Sequence, residues 1–197
     1  MHGDVATFDR FARAYDLVMP SADADALASG LERAERDVNR VLDVGGGSGR
    51  GARAISATER IVVDAASGML RQAYRRGLQA VQGDAAKLPI EDGSADAVLI
   101  VDAFHHMPDR DGVISSASRV LAPGGVLVVA DFDPSTMRGR ALVAAERLVG
   151  FGSQFDTPDR LCDRMADAGL SATIVEDGFG YVVAGVAPGE RHQSVQR

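Results

Sequence analysis

The run Asp43-Val44-Gly45-Gly46-Gly47-Ser48-Gly49 carries the densest chemical signal in the chain. Glycines at alternate positions allow torsions closed to other residues and let a ligand approach with no Cβ in the way. Val41 to Val44 reads as a short strand and the residues after Gly49 as a helix, so the glycines form the turn between them. At such a junction, loop amides and the positive end of a helix dipole face whatever lies over the turn. Asp64 ends the next apolar run, about 20 residues past the first glycine, where a carboxylate accepts both hydroxyls of a ribose. Gly83-Asp84-Ala85 follows the third run, and there a carboxylate beside a free amide can read an adenine edge. Three such positions predict a nucleoside-bearing ligand.

The loop itself admits two ligands. Gly47-Ser48-Gly49-Arg50-Gly51-Ala52 fits a loose GxGxxA, the dinucleotide fingerprint. Gly45-x-Gly47-x-Gly49 instead starts directly after the strand. Asp43 favours this second register, because a carboxylate repels a pyrophosphate and suits an ammonium group.

Asp102 ends the fourth apolar run, and His105-His106 follow it. Adjacent residues seldom point at one ion and no third ligand is spaced to join them, so no metal site is expected. One histidine is expected to pack or cap locally. The other is placed to act as a general base where an acceptor must lose a proton. Cys162, the one cysteine, lies between Leu161 and Asp163 in a helical pattern and reads as a packing residue, not a nucleophile. A chain that forms no internal disulfide fits a reducing cytoplasm.

The elements that position these residues follow from periodicity. Short apolar runs at 41–44, 60–64, 77–81, 95–101 and 125–130 alternate with helical stretches, which predicts buried parallel strands in an α/β domain. Ser67 is expected to cap the helix after Asp64, and Gly77 to end it. Thr157-Pro158 opens a later helix that Gly169 closes. Runs 170–176 and 179–187 flank Asp177-Gly178, a hairpin signal that makes the last strands antiparallel and the total seven. Two amphipathic helices precede the sheet: one carries Phe8, Phe11, Tyr15 and Val18, and a second spans about 23–37 with Leu27, Leu31 and Ala34 on one stripe. The organisation expected is a helical cap over residues 1–38, a ligand-binding domain over 39–187 and a frayed tail over 188–197.

Composition narrows the partners. With 46% apolar residues the chain can build a core, and its net charge of −7 repels nucleic-acid backbones. No run approaches the roughly 20 apolar residues that span a bilayer. Lys87 is the single lysine among 21 basic residues, a bias that fits salt adaptation or a GC-rich genome equally.

Residues from about 41 to 133 resemble the class I S-adenosylmethionine-dependent methyltransferases, above all the ubiquinone/menaquinone-biosynthesis type. The likeness rests on the glycine loop, Asp64 with Ser67-Gly68-Met69-Leu70, and the stretch from Gly83-Asp84-Ala85 through Leu88-Pro89 to Asp96-Ala97-Val98. It continues in Phe104-His105-His106-Met107 and Arg119-Val120-Leu121-Ala122-Pro123-Gly124-Gly125. Phe8-Asp9-Arg10-Phe11 through Tyr15-Asp16 is similar to the opening element of the quinone-type enzymes. The resemblance implies a Rossmann-like, mostly parallel seven-stranded sheet with helices on both faces and a C-terminal antiparallel hairpin.

It further implies that Asp43 and Gly45, with Gly47 and Gly49, hold the methionine end of S-adenosylmethionine. Asp64 would hold the ribose, and Asp84 and Ala85 the adenine. Asp102 would face the methyl group, and Tyr15 would help close the site. Ala65-Ala66 stand where the family often carries a bulkier residue beneath the adenine, a place Met69 or Leu70 is expected to take. Phe132, Met137 and Phe151 are candidates to line an apolar acceptor cavity. The implied activity is methyl transfer to a small apolar or aromatic molecule, with a demethylmenaquinone-like quinol favoured and His105, His106 or Asp102 taking its proton. An NAD-dependent oxidoreductase and a module that binds S-adenosylmethionine without transferring its methyl are the alternatives.

Overall fold

In the computed structural model the described residues are 22–149 and 152–189. Their seven strands form one sheet in the order β3-β2-β1-β4-β5-β7-β6. The strands are β1 (Arg40–Val44), β2 (Glu59–Asp64), β3 (Gln79–Gln82), β4 (Ala95–Val101), β5 (Leu121–Phe132), β6 (Ser171–Glu176) and β7 (Gly180–Val186). Pairing is parallel from β3 through β5, and β7 runs antiparallel to both β5 and β6. The doubly wound sheet and its closing hairpin therefore match the sequence reading.

The helices are α1 (Ala24–Leu31), α2 (Arg50–Ala54), α3 (Ser67–Arg75), α4 (Arg110–Val120), α5 (Met137–Val149) and α6 (Pro158–Asp167), with one 3-10 turn over Phe104–His106. Every residue of β4 is buried, as expected of a central strand covered on both faces. One core cluster joins Leu42, Ile100, Leu127 and Val183 to Ile114 of α4 and Leu161 of α6. The other sets Leu27 of α1 against Val41, Leu99 and Val128. Gly30 of α1 permits that approach, since a Cβ there would lie 2.6 Å from Val128 Cγ1. None of the described helices is long and apolar enough to cross a membrane.

Three local expectations are corrected. α1 ends at Leu31 instead of continuing to 37, because Glu35 N donates to Gly124 O, 2.8 Å away, and Arg36 pairs with Asp96. Those contacts draw the chain off the helix axis and onto the entrance of β1. Ser67 is the first residue of α3 and not its cap; Ala66 occupies that position, its N–H held by Asp64 Oδ1 at 2.7 Å. The third strand starts at Gln79, since Gly77 and Leu78 are spent closing α3 through hydrogen bonds to Tyr74 O and Ala73 O. Thr157 does cap α6, with Pro158 in its first turn and Gly169 past its end at φ +82°. The first amphipathic helix, with Tyr15, lies outside the described residues, as do Phe151 and the tail beyond 189.

Candidate functional site

Parallel strands that share one direction deliver their C-terminal ends to one edge, and open α/β sheets bind ligands there. Asp43 of β1, Asp64 of β2, Gly83-Asp84 after β3 and Asp102 after β4 all stand at that edge. Gly45, Gly47 and Gly49 have φ of +67°, +56° and +83°, so the loop alternates through the left-handed region. A Cβ on Gly47 would sit 2.7 Å from Met69 Cε, and one on Gly45 2.7 Å from Met107 Cε. The left-handed torsions favour glycine at both positions, and a Cβ would also displace the methionine ends. α2 is five residues long, so the loop amides, more than a helix dipole, give this turn its polarity.

Asp43 braces that loop from beneath. It is fully buried; its Oδ2 accepts from Ala52 N at 2.7 Å, and its Oδ1 has no hydrogen-bond partner. Burial pushes its pKa up to about 6, against the pull of the Ala52 hydrogen bond. Asp64 ties the loop to the end of β2: Oδ2 accepts from Gly47 N at 2.9 Å and Oδ1 from Ala66 N. Gly83 N donates to Asp64 O at 3.1 Å, which sets Asp84 beside the end of β2. Asp84 is exposed and accepts from Ala86 N at 2.9 Å, while Ala85 is half-buried against the core. Met69 is buried under the loop.

At the β4 end Asp102 has φ +49°, the one described non-glycine residue in the left-handed region. Strain of this kind persists where surroundings over-determine it, and it gathers at functional sites. Its Oδ2 lies 2.9 Å from Nη2 of Arg50, whose side chain is 9% exposed. Burial raises the Asp102 pKa, opposed by the Arg50 charge and hydrogen bond.

His105 and His106 form the 3-10 turn that follows, their rings 4.1 Å apart. His105 Nδ1 is 2.6 Å from Asp131 Oδ1, and its backbone N–H donates to Asp131 Oδ2 at 3.0 Å. Its Nε2 lies 3.7 Å from Glu146 on α5, and Phe155 stacks on the ring at 4.4 Å. Burial favours the neutral ring, but the Asp131 charge and hydrogen bond, with Glu146 and Asp102, outweigh it and raise the His105 pKa. His106 behaves oppositely: burial and the neighbouring His105 drive its pKa down to about 3. Its Nδ1 lies 3.1 Å from Ser153 Oγ. The two adjacent histidines are thus electrostatically unlike.

The sequence reading missed Asp131, Glu146 and Ser153, which surround the pair. Glu146 also supplies the third donor that spacing did not show: with His105 and His106 it presents ligand atoms within 4.8 Å of one another. Of the expected cavity residues, Phe132 lies 6.2 Å from the His105 ring and 5.1 Å from Phe179, whereas Met137 is 89% exposed. Cys162 is half-buried against the core, with its thiol pKa raised by burial, far from nucleophile chemistry.

Comparison with known proteins agrees with this geometry. A family model described as a methyltransferase domain matches residues 42–129. The chain is 33% identical over 157 residues to the 27-O-demethylrifamycin SV methyltransferase of Amycolatopsis mediterranei, covering 73% of this chain and 58% of that protein. It is 32% identical over 223 residues to the demethylmenaquinone methyltransferase of Thermus thermophilus, covering 93% and 99%. A solved S-adenosylmethionine-dependent methyltransferase from Thermotoga maritima, described as a possible histamine N-methyltransferase, superposes with TM-score 0.74 at 24% identity over 92% of this chain and 98% of that one. The chain spans about three fifths of the length of several curated relatives that it matches. The sheet order, the loop and these likenesses together place the chain in the methyltransferase-domain family, whose cofactor is S-adenosylmethionine.

Proposed function

We propose that this protein transfers a methyl group from S-adenosylmethionine to a small molecule, with an aromatic hydroxyl compound or quinol as the favoured acceptor. The observation that carries the reading is the convergence of the glycine loop, Asp64, Asp84 and Asp102 on one sheet edge, with the His105–Asp131 pair directly beyond. The donors fit the cofactor. Asp43 leaves one buried oxygen without a partner under a loop that a Cβ would block, and its charge favours an ammonium group above the loop. Asp64 offers oxygens to ribose hydroxyls, and Asp84 with the Ala85 amide faces the adenine side.

When bound, the cofactor supplies a methyl already activated by a sulfonium, so the protein aligns, excludes water and manages one proton. Asp131 fixes His105 with a proton on Nδ1, which leaves Nε2 as the accepting nitrogen. The raised pKa makes His105 the better proton acceptor of the two histidines, while His106 stays neutral and positions the acceptor. Relatives named as methyltransferases of demethylmenaquinone and of 27-O-demethylrifamycin SV make a quinol ring the acceptor to try first. C-methylation of a demethylmenaquinone-like quinol is the specific reaction favoured.

The test is turnover of the His105→Ala and His106→Ala variants on a demethylmenaquinol analogue, beside their melting temperatures. His105→Ala is expected to lose about 10²–10⁴ in rate with cofactor affinity retained, and His106→Ala much less. Full activity in both variants removes histidine from the reaction and leaves Asp102 as the group that takes the proton.

A further inference from the structure

Spacing along the chain predicts no metal site at His105-His106, yet the fold brings a third donor to the pair. Glu146 of α5 places its Oε1 3.7 Å from His105 Nε2, and its Oε2 is buried with no hydrogen-bond partner among the described residues. The 3-10 turn sets the two imidazoles with centroids 4.1 Å apart and planes tilted by 47°. One ligand atom from each of the three residues lies within 4.8 Å of the other two. Bonds of about 2.0–2.1 Å to a tetrahedral ion put two donors roughly 3.3 Å apart. The Nε2–Oε1 pair is near that separation already, and small side-chain rotations bring in the third donor.

We propose that His105 Nε2, a ring nitrogen of His106 and a carboxylate oxygen of Glu146 form a binding site for a zinc-class divalent cation, and that its occupation blocks methyl transfer. Two imidazoles with one carboxylate suit zinc, cobalt or nickel, whereas magnesium and calcium prefer oxygen donors alone. Asp131 completes the arrangement from behind. Its Oδ1 lies 2.6 Å from His105 Nδ1 and accepts from Phe132 N–H at 2.8 Å. A carboxylate on the far nitrogen of a ligating histidine fixes the tautomer and aims Nε2 at the ion. The charges of Glu146 and Asp131 together match the two positive charges of the cation. Three protein donors leave a fourth position for water. The block rests on the proposed role of His105, since the Nε2 lone pair that takes the acceptor's proton is then committed to the ion. The site itself does not depend on that role.

Calorimetric titration of the chelator-treated protein with Zn²⁺ and with Mg²⁺ tests this, in a background carrying His2→Gln, His192→Gln and Cys162→Ser. His105 and His106 are the histidines left in that background, and no thiol remains. One Zn²⁺ per chain is expected to bind, and no Mg²⁺. Glu146→Gln and Asp131→Asn are each expected to weaken Zn²⁺ binding ~10-fold or more. Methylation of a demethylmenaquinol analogue should fall in step with Zn²⁺ occupancy and return on chelation. Glu146→Gln should move half-inhibition to a Zn²⁺ concentration ~10-fold higher. Absence of Zn²⁺ binding, equal binding of Mg²⁺, or unchanged Zn²⁺ affinity in Glu146→Gln overturns the site and leaves the role of His105 untouched. Zn²⁺ binding with full activity overturns the block, and with it the use of His105 Nε2 as the proton acceptor.

Discussion

Asp43 shows how one residue trades stability for a site. Its folded pKa stands near 6 against an ordinary 3.8, because burial disfavours the charge. Between pH ~4 and 6 the native state therefore holds more protons than the unfolded chain, so stability falls as pH rises through that window and stays low above it. Two units correspond to about 3 kcal/mol as an upper bound. Asp43→Asn keeps an acceptor for Ala52 N and removes the buried charge. At pH 8 the cofactor-free variant should melt several degrees above the parent, and the gap should close by pH 4; a lower melting point at pH 8 refutes the argument. The same variant should bind S-adenosylhomocysteine more weakly, the trade expected where a strained site serves function. His106 titrates in the opposite sense. A folded pKa near 3 means the native state resists protonation, so this residue's contribution is lost as pH falls below about 6.5. Asp64→Ala should weaken cofactor binding by about 1.5–3 kcal/mol per charged hydrogen bond lost, while Cys162→Ser leaves it unchanged. Equal affinities in a titration overturn the ribose assignment. Asp43, Asp64 and Asp84 were legible in the sequence because each is fixed by its local place at a strand end. Asp131, Glu146 and the pairing of Arg50 with Asp102 were not, since those contacts join residues 26 to 52 positions apart.

At the scale of elements the alternation of apolar runs and helices identified the five parallel strands, and the Asp177-Gly178 hairpin signal the two antiparallel ones. The helix ends were less legible. α1 stops where Glu35 and Arg36 find partners at Gly124 of β5 and Asp96 of β4, and nothing in residues 23–37 announces those partners. The segment over residues 152–157 was also invisible as an element, yet it holds the histidines. Gln154 N donates to His105 O at 2.8 Å, Ser153 meets His106, and Phe155 stacks on His105. Asp156 anchors it: this buried carboxylate pairs with Arg110 at 2.9 Å, Arg164 at 2.7 Å and Arg160 at 3.3 Å, while Tyr181 Oη donates to its carbonyl at 3.1 Å. Removing one partner from a buried ionic group strands the others. Asp156→Ala should therefore destabilise the protein by about 3–5 kcal/mol in denaturant unfolding and lower turnover even where the fold survives. Wild-type stability in that variant would mean the segment is held by its aromatic and backbone contacts alone.

Over the whole molecule, charge and fold select the ligand together. The chain carries −7, and its open edge gathers Asp43, Asp64 and Asp102, with the buried Arg50 beside Asp102. A dinucleotide would bring a pyrophosphate, with two more negative charges, onto that edge. S-Adenosylmethionine brings a sulfonium and an ammonium against one carboxylate, a net positive ligand for a negative site. The GxGxxA register read over residues 47–52 is thus present in the sequence, but the electrostatics of the folded edge oppose its usual ligand. A ligand that binds only the native state stabilises it by about 2.7 kcal/mol at a hundredfold excess over its dissociation constant. For a protein of this size each kcal/mol moves the melting temperature roughly 2–4 °C. S-Adenosylhomocysteine at that excess should therefore raise the transition by about 5–10 °C. NAD at the same concentration should leave it in place. Raising the ionic strength should weaken the discrimination only in part, because Asp43 is fully buried and Asp64 and Asp102 are half-buried, where salt screens less than at the surface. A clear rise with NAD and none with S-adenosylhomocysteine would reverse the argument, because the loop would then be cradling phosphates despite its acidic floor.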